Sequence, residues 1–583
     1  MRKATIAILL GAAACRPHST TPAPNEGAPL PPRRAAVFPD AWRFHHDTAD
    51  GTFAEHAMVA SNSRLASEAG AEVMRAGGNA IDGAVATAFA LAVTYPAAGN
   101  LGGGGFMVIR MADGRTGALD FREVAPLAAR RDMYVDPAHP VAAEASITGH
   151  LASGVPGSVA GLVEAERKFG KLGLARAIAP ALRMARDGFV VDAALARSLA
   201  GERARMAPYD GSMATFFPDG AAPTEGSTFR QPALARTLAL IAERGADGFY
   251  RGETADSIVA EMRRGGGIIT AEDLAKYTPV WRTALETRYR DYTLVGMPPV
   301  SSGGTTIAET LNILEGYGPL PPFGSTAYTH RLSSAYQRAF NDRNGRLGDP
   351  AFVPVPVAEL TDKAYASRLR AHIDTLRYTH SADLGDGGRE KQQTTHYSVV
   401  DGAGNAVSVT TTLNNSYGSA VTVRGAGFVL NDEMDDFAAH PGRPNMFGLV
   451  EGAQNEIAPG KRMLSSMSPT IVAGPDGRTV LVVGAAGGPT IITATSQVVL
   501  DVIEHRMSLG DAMRAPRLHH QAVPDSLVIE ANGWSPAVVD SLQAMGYGVQ
   551  RRGAIANVNA VMRVPGGWRG MHEPRSSGGE AGY

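Results

Sequence analysis

The sequence predicts a mixed α+β fold, and three observations support this. Residues 394–413 alternate polar and β-forming residues around a Gly-Ala-Gly-Asn run at 402–405, which is typical of a β-hairpin. Residues 468–483 show the same arrangement around a Gly-Pro-Asp-Gly turn. Residues 61–95 have the periodicity of alanine-rich helices, interrupted at 77–79 by Gly-Gly-Asn, which indicates two packed helices joined by a turn.

The predicted pairing of the two hairpins gathers small polar groups. If the first turn centres near Ala403, antiparallel pairing places Thr394 opposite Thr412, with Asn414 just beyond the strand end. Pairing in the second hairpin brings residues 464–466 (Leu-Ser-Ser) close to residues 486–488 (Ala-Gly-Gly). Threonine-rich hairpins are also common structural elements, but two such clusters are what a site for acyl transfer requires.

Several motifs occur together and in one order along residues 50–583. They are Asn-Leu-Gly-Gly-Gly-Gly-Phe at 100–106, Asp-Phe-Arg-Glu at 120–123, Pro-Val-Ser-Ser-Gly-Gly at 299–304, Gln-Thr-Thr-His-Tyr-Ser at 393–398, Leu-Ser-Ser-Met-Ser-Pro-Thr at 464–470, Gly-Gly-Pro-Thr-Ile-Ile at 487–492 and Ala-Gly-Tyr at 581–583. In this combination the sequence resembles the γ-glutamyltranspeptidase family of N-terminal-nucleophile hydrolases.

The resemblance implies a four-layer αββα sandwich, with two β-sheets between helical layers. It also implies one globular unit that is made as a precursor and cut between Gln393 and Thr394. The products would be a large subunit, residues 46–393, and a small catalytic subunit, residues 394–583, which remain together as a heterodimer with one active site.

By the same resemblance, Thr394 is both the agent of cleavage and the catalytic nucleophile. Its Oγ would attack the carbonyl of Gln393, the acyl group would shift from N to O, and water would open the ester. The freed α-amine, with a reference pKa of about 7.7–8.0, can act as a base near neutral pH. Thr412 would orient the nucleophile, and the backbone N–H groups of Gly487 and Gly488 would stabilise the oxyanion.

The substrate implied by the resemblance is glutathione or another γ-glutamyl compound, with transfer of the acyl group to water or to an amino acid or peptide amine. Arg122, with a planar fork suited to a carboxylate, would hold the α-carboxylate together with Ser465 and Ser466. Asn414, Glu433 and Asp436 would hold the α-ammonium. Phe447 would lie in a lid loop, where a tyrosine is common in bacterial relatives. No cofactor or metal is expected.

Composition adds limits rather than a function. The 583 residues include 44% hydrophobic and 19% charged residues, ordinary values for a globular protein. A net charge of −2 gives no reason to expect nucleic acid or an anionic membrane surface as a partner. The single cysteine excludes an intramolecular disulfide.

The N-terminal region predicts export. A basic start and a short apolar run make residues 1–15 a secretory signal, too short to span a bilayer as a mature anchor. Cys15 follows three alanines and resembles the lipidated cysteine of bacterial lipoproteins; ordinary signal-peptidase cleavage is the alternative. Residues 16–45 are predicted to be a disordered linker. We therefore expect a periplasmic protein, or one attached to the cell envelope through lipidated Cys15.

Four other interpretations are weighed against this one. The paired histidines His519 and His520 lack the spacing of a metal site, and the glycines at 102–105 lack the pattern of a phosphate loop, so both favour structural roles. A glutaryl or cephalosporin acylase of the same scaffold would not need the ammonium-binding cluster. A non-catalytic envelope lipoprotein that binds γ-glutamyl peptides would keep that cluster without processing itself.

Overall fold

Two seven-stranded antiparallel sheets pack face to face between two layers of helices. The computed structural model describes residues 37–381, 394–439, 445–446, 448–449 and 452–583. Two large apolar cores result: one lies between one sheet and the helices that cover it, and the other contains side chains from both sheets and from the opposite helical layer. This confirms the predicted α+β class and the αββα layering.

The strands of the described residues are numbered in chain order. They are β1 (Thr52–Ala54), β2 (Met58–Ser61), β3 (Gly104–Arg110), β4 (Thr116–Asp120), β5 (Phe189–Val190), β6 (Thr228–Phe229), β7 (Val280–Arg282), β8 (Leu285–Tyr289), β9 (Tyr292–Gly296), β10 (Thr394–Val400), β11 (Ala406–Thr412), β12 (Thr470–Ala473), β13 (Thr479–Ala486), β14 (Leu518–His519), β15 (Leu527–Glu530), β16 (Val549–Arg552), β17 (Asn557–Val564), β18 (Gly567–Met571) and β19 (Gly579–Gly582).

The helices are numbered in the same way. They are α1 (Arg64–Arg75), α2 (Ala80–Thr94), α3 (Ser158–Phe169), α4 (Leu174–Asp187), α5 (Ala193–Met206), α6 (Asp210–Phe216), α7 (Pro232–Arg244), α8 (Asp247–Tyr250), α9 (Gly252–Gly265), α10 (Ala271–Lys276), α11 (Gly303–Glu315), α12 (Thr326–Arg346), α13 (Val357–Leu360), α14 (Lys363–Ala371), α15 (Thr490–Ile503), α16 (Leu509–Arg514) and α17 (Pro536–Ala544).

The two predicted hairpins lie near the centres of the two sheets. The first sheet has the order β19-β2-β10-β11-β3-β4-β7, and the second has the order β1-β18-β17-β13-β12-β9-β8. In the first hairpin Thr394 pairs with Thr412, as predicted. In the second hairpin Thr470 pairs with Val483, and a register shift follows Val472. The hairpins therefore lie back to back, with β10 facing β13 and β17.

Buried polar side chains fix the relative position of the two sheets. Ser398 Oγ lies 3.2 Å from the carbonyl oxygen of Val482, and Asn559 Nδ2 donates to the carbonyl oxygen of His396 at 2.7 Å. His396 Nδ1 lies 2.9 Å from Thr410 Oγ1. Burial lowers the pKa of His396 to about 3, so this ring is neutral at physiological pH. Directional bonds of this kind resist sliding of one sheet over the other in a way that apolar contacts do not.

Helices cover the outer face of each sheet. Helices α1 and α2 pack on the first sheet, and the N-terminus of α2 is held by a capping box in which Asn79 and Asp82 satisfy each other's backbone N–H groups. Helices α11 and α15 pack on the second sheet. Helix α15 begins directly after β13, so the short connection at 487–489 lies at the same end of the molecule as Thr394.

The glycine run at 102–105 allows close backbone packing, as predicted. A Cβ on Gly103 would lie 2.1 Å from the carbonyl oxygen of Thr412, and one on Gly105 would lie 2.4 Å from that of Thr410. These glycines therefore let the start of β3 approach the end of β11 that carries Thr412.

The predicted linker at 16–45 ends earlier than expected. Phe38 and Trp42 are buried in the core on the second sheet, and Trp42 Nε1 donates to the carbonyl oxygen of Arg514 at 2.9 Å. Large aromatic side chains gain enough from burial to order the residues around them, which outweighs the polar composition of the segment. Residues 1–36, including Cys15, lie outside the described residues.

None of the helices in the described ranges has the length and apolarity needed to cross a membrane.

The buried carboxyls of Asp82 on α2 and Glu166 on α3 predict that the stability of the fold depends on pH. Burial raises the pKa of Glu166 to about 8, and the neighbouring Asp82 makes a smaller contribution in the same direction. Because the folded-state pKa is above the unfolded value, the native state binds the extra proton and loses stability as pH rises from about 4.5 to about 8. The expected loss is up to about 1.4 kcal/mol per pH unit.

Glu166→Gln should therefore flatten the pH dependence of unfolding. Chemical denaturation between pH 5 and pH 9, in wild type and variant, measures this difference. Identical pH profiles for the two proteins would show that Glu166 does not carry a raised pKa.

Candidate active site

Thr394 and Thr412 lie side by side at one end of the first sheet. Thr394 is the first residue of β10 and Thr412 the last of β11, and their Oγ1 atoms are 3.4 Å apart. The N–H of Asn414 donates to Thr412 Oγ1 at 2.8 Å, so this oxygen accepts a hydrogen bond from the turn that follows β11. This places a hydroxyl where it can orient the predicted nucleophile.

The turn after β11 connects the threonines to the acidic segment. Asn414 has φ of 77°, a left-handed conformation that asparagine tolerates better than most residues. Asn414 Nδ2 donates to the carbonyl oxygen of Asp432 at 3.1 Å, and the N–H of Asn415 donates to Asp432 Oδ1 at 2.9 Å. The acidic residues at 432–436 are thereby held beside the threonine pair.

A cavity of about 330 Å³ opens at this end of the sheet. Residues on both sides of the predicted cleavage point line it. They are Arg122, Arg343, Thr394, Thr412, Asn414, Glu433, Asp436, Asn445, Leu449, Leu464, Ser465, Ser466, Met467, Gly488 and Ile491. Every predicted catalytic or substrate-binding residue except Gly487 is in this set.

Arg122 lies at the centre of a buried ion-pair cluster. One Nη lies 2.6 Å from Glu433 Oε2, and the other pairs with Asp436 Oδ2. Glu123 Oε2 is 3.7 Å from the guanidinium. The prediction placed Arg122 on the carboxylate side of the substrate and the two acids on the ammonium side. The structure brings all three into direct contact, so the two halves of the proposed head-group site share one electrostatic network.

Burial dominates the titration of these acids. It raises the pKa of Glu433 and of Asp436 above the usual range, although Arg122 opposes the shift in both cases. Burial also raises the pKa of Glu123 to about 8, with Arg122 again opposing. Three carboxyls around one guanidinium carry more negative than positive charge when ionised. A cation placed near Glu433 and Asp436 would therefore favour their charged forms.

Ser465 and Ser466 form the opposite wall. The loop at 299–304 packs behind them, with Ser302 donating from both its N–H and its Oγ to the carbonyl oxygen of Ser465 at 2.7 and 2.6 Å. These contacts give the loop a structural role behind the serine wall.

The connection between β13 and α15 completes the cavity near Thr394. Gly487 and Gly488 have φ values of 136° and 55°, which glycine adopts at little cost. Gly488 lines the cavity, and the N-terminus of the 14-residue helix α15 follows it. N–H groups and the positive end of the helix dipole here favour developing negative charge.

Arg343 is a charged lining residue that the sequence interpretation missed, alongside apolar ones such as Met467 and Ile491. It lies on α12, far along the chain from every motif, and its side chain is buried. A buried arginine on a helix can only be recognised from the polar groups that surround it, and Ser302 and Ser466 come from two other segments of the chain. Gln393, Phe447 and residues 440–444 and 450–451 of the lid loop lie outside the described residues.

The two adjacent histidines have hydrogen-bond partners of their own. His519 Nε2 lies 2.7 Å from Gln521 Oε1, and His520 Nε2 lies 2.7 Å from the Tyr378 hydroxyl. Within the described part of the chain, no group of three or more His, Cys, Asp or Glu side chains is arranged to hold a metal ion.

Comparison with known proteins identifies the family. The Gamma-glutamyltranspeptidase family model matches residues 66–583. The chain belongs to the γ-glutamyltranspeptidase family. It is 43% identical over 582 residues to a glutathione hydrolase proenzyme of Escherichia coli (strain K12), with 99% of this chain and 98% of that protein covered.

Two further comparisons give a second relative and a solved structure with the same fold. It is 48% identical over 502 residues to a glutathione hydrolase proenzyme of Pseudomonas sp. (strain A14), with 85% and 86% of the two chains covered. A crystal structure of cephalosporin acylase from Bacillus halodurans superposes with a TM-score of 0.80 at 27% identity, covering 94% of this chain and 99% of the other. This chain therefore shares its fold with a cephalosporin acylase.

The position of Glu123 next to Arg122 predicts that the KM for a γ-glutamyl donor depends on pH. With a pKa raised to about 8, Glu123 ionises between pH 7 and pH 9 and then competes with a substrate carboxylate for Arg122. The other charges facing it are Asp436 and Asp120. The KM for a γ-glutamyl donor should rise with pH in the wild type by on the order of tenfold, the equivalent of about 1.4 kcal/mol.

Steady-state kinetics of wild type and Glu123→Gln across that range isolates this effect, because the donor's own amine titrates equally in both. A smaller rise in KM for the variant is expected. An equal rise in both proteins would contradict the role of Glu123.

Proposed function

We propose that this protein hydrolyses the γ-glutamyl bond of glutathione and related compounds and transfers the γ-glutamyl group to water or to amino acid or peptide amines. The observation that carries the proposal is one cavity in which a threonine pair adjoins a guanidinium, two carboxylates and two serine hydroxyls. Such a set matches a free amino-acid head, which presents a carboxylate and an ammonium on one carbon.

The proposed precursor becomes active by cutting itself before Thr394. Thr394 Oγ attacks the carbonyl carbon of Gln393, the peptide C–N bond breaks, and the resulting ester is opened by water. The products are the carboxylate of Gln393 and the free amine of Thr394. The position of Thr394 at the start of β10, with Thr412 beside it, supports this step because the hydroxyl already has an orienting partner.

In turnover, Thr394 Oγ attacks the γ-carbonyl carbon while its own amine takes the hydroxyl proton. Gly487 and Gly488 stabilise the tetrahedral oxyanion, and the proton passes to the departing amine as the substrate's C–N bond breaks. The γ-glutamyl ester on Thr394 is then attacked by water, which yields glutamate, or by an acceptor amine, which yields a new γ-glutamyl amide.

The runner-up is an acylase that removes glutaryl-type groups. It is favoured by the close superposition on the Bacillus halodurans acylase. Opposing it is the acidic wall of Glu433 and Asp436, buried together with Arg122, because a glutaryl group has no ammonium to place there.

The proposal extends to location. The basic and apolar residues before Cys15 support export to the periplasm, with lipidation of Cys15 as the means of attachment to the cell envelope. Labelling with a radioactive fatty acid, in wild type and Cys15→Ala, would test the lipid.

Processing can be tested directly by intact mass and N-terminal sequencing of purified protein. The wild type should give two chains, the smaller beginning Thr-Thr-His-Tyr-Ser, and Thr394→Ala should remain a single chain. Thr394→Ser retains a hydroxyl and should still be cut.

If wild type and Thr394→Ala were both stable single chains, the enzymatic proposal would fail. The result would instead favour a non-catalytic envelope protein that binds γ-glutamyl peptides.

The head-group assignment can be tested with two chromogenic donors, γ-glutamyl and glutaryl p-nitroanilide. Asp436→Asn removes a buried charge that would face the α-ammonium and should lower kcat/KM for the γ-glutamyl donor by about 10- to 100-fold, the range for hydrogen bonds to charged groups. The glutaryl donor should lose much less. Glu456→Gln, which alters a surface ion pair with Arg131, serves as the control.

A wild-type preference for the glutaryl donor would overturn the proposed function in favour of the acylase.

A further inference from the structure

Arg343 links the serine wall of the cavity to the helical layer behind it. Its Nη2 donates to Ser466 Oγ at 3.2 Å, and its Nε donates to Ser302 Oγ at 3.0 Å. The side chain is about 1% exposed and also lines the cavity. The rigid guanidinium therefore holds two hydroxyls, from separate loops, at a fixed separation.

These contacts determine what each hydroxyl can do. A guanidinium has only donors, so both serine oxygens must act as acceptors toward it. Ser302 uses its single hydrogen on the carbonyl oxygen of Ser465 at 2.6 Å. The hydrogen of Ser466 is directed away from Arg343, and Ser466 lines the cavity.

Ser465 is constrained in the same sense. The N–H of Met467 donates to Ser465 Oγ at 3.2 Å, so this oxygen also acts as an acceptor toward the protein. Two adjacent hydroxyls whose oxygens accept from the protein can both present hydrogens to the cavity. Such a pair suits a carboxylate, which only accepts, and does not suit an ammonium, which only donates.

We propose that Arg343 is a positioning residue for substrate selection, which orients Ser466 as a hydrogen-bond donor to the α-carboxylate of the donor substrate. The inference rests on the proposed function and adds a second arginine to it, one that acts through a serine whereas Arg122 is proposed to bind the carboxylate directly. It assigns selectivity for an α-carboxylate to α12, outside the seven motifs named above.

Arg343→Met tests the proposal with γ-glutamyl p-nitroanilide and with 4-aminobutyryl p-nitroanilide, which lacks the α-carboxylate. The variant should lose about 10- to 100-fold in kcat/KM for the first donor, mainly through KM, and little for the second. Arg343→Lys, which keeps the charge but loses the fork, should fall between. Arg346→Met is the matched control, since Arg346 lies on the same helix and pairs with Glu359 outside the cavity.

A merely structural role would lower kcat/KM for both donors equally, and that result would overturn the proposal. A second measurement does not depend on the poorer donor. If Arg343 acts through Ser466, then Arg343→Met should add less than about threefold to the loss already caused by Ser466→Ala, because contacting residues are not additive. Full additivity of the two losses would also overturn it.

The wild type, the single variants Arg343→Met and Ser466→Ala, and the double variant can also be compared by calorimetric titration with L-glutamate. This measurement needs no turnover. A wild type that binds glutamate and shows the non-additive pattern, but cleaves no γ-glutamyl donor, would retain the role of Arg343 and reject the proposed activity. Turnover by the wild type together with additive losses would retain the proposed activity and reject the role of Arg343.

Discussion

The site depends on the register of one antiparallel strand pair. Because side chains alternate between the faces of a sheet, a shift of one residue between β10 and β11 would separate the hydroxyls of Thr394 and Thr412. The register is held locally by the turn at 402–405 and globally by hydrogen bonds from Ser398 and Asn559 across to the other sheet. The glycines before β3 let a third strand approach, so the threonine end of the hairpin is held from three directions.

Around that fixed pair, the electrostatics come from segments that are distant in sequence. Arg122 follows β4, the acidic turn follows β11, and Arg343 belongs to α12. Isolated buried charges are costly, so each is retained only because another segment supplies its partner. One side of the cluster has more carboxylates than the guanidinium of Arg122 can balance, and the other side has hydroxyl donors. That asymmetry suits a zwitterion, which carries one charge of each sign.

Local patterns predicted the hairpins, their register and the paired helices, because the residues that decide those features lie within one or two turns of each other in sequence. The αββα layering and the head-group residues were predicted from the family resemblance that the motifs carry in combination. The ion pairs of Arg122 with Glu433 and Asp436 could not be predicted, since they depend on how two connections meet in space. Arg343 was missed for the same reason, and the early start of the folded region reflects the burial of Trp42 rather than the composition around it.

The same geometry must serve the precursor and the processed enzyme, and this places a particular demand on the start of β10. The proposed cleavage would make Thr394 a chain terminus, and termini fray unless they are held. Strand β10 pairs with β2 only at Ser398–Val400, so the first residues of β10 rely on the ladder with β11. Side chains supply the missing support on the other edge: Thr395 Oγ1 donates to Asn62 Oδ1 at 2.9 Å, and Asn559 Nδ2 donates to the same oxygen at 3.0 Å. The proposed nucleophile is therefore held by contacts that do not involve residue 393, which suits a hydroxyl proposed to perform both reactions.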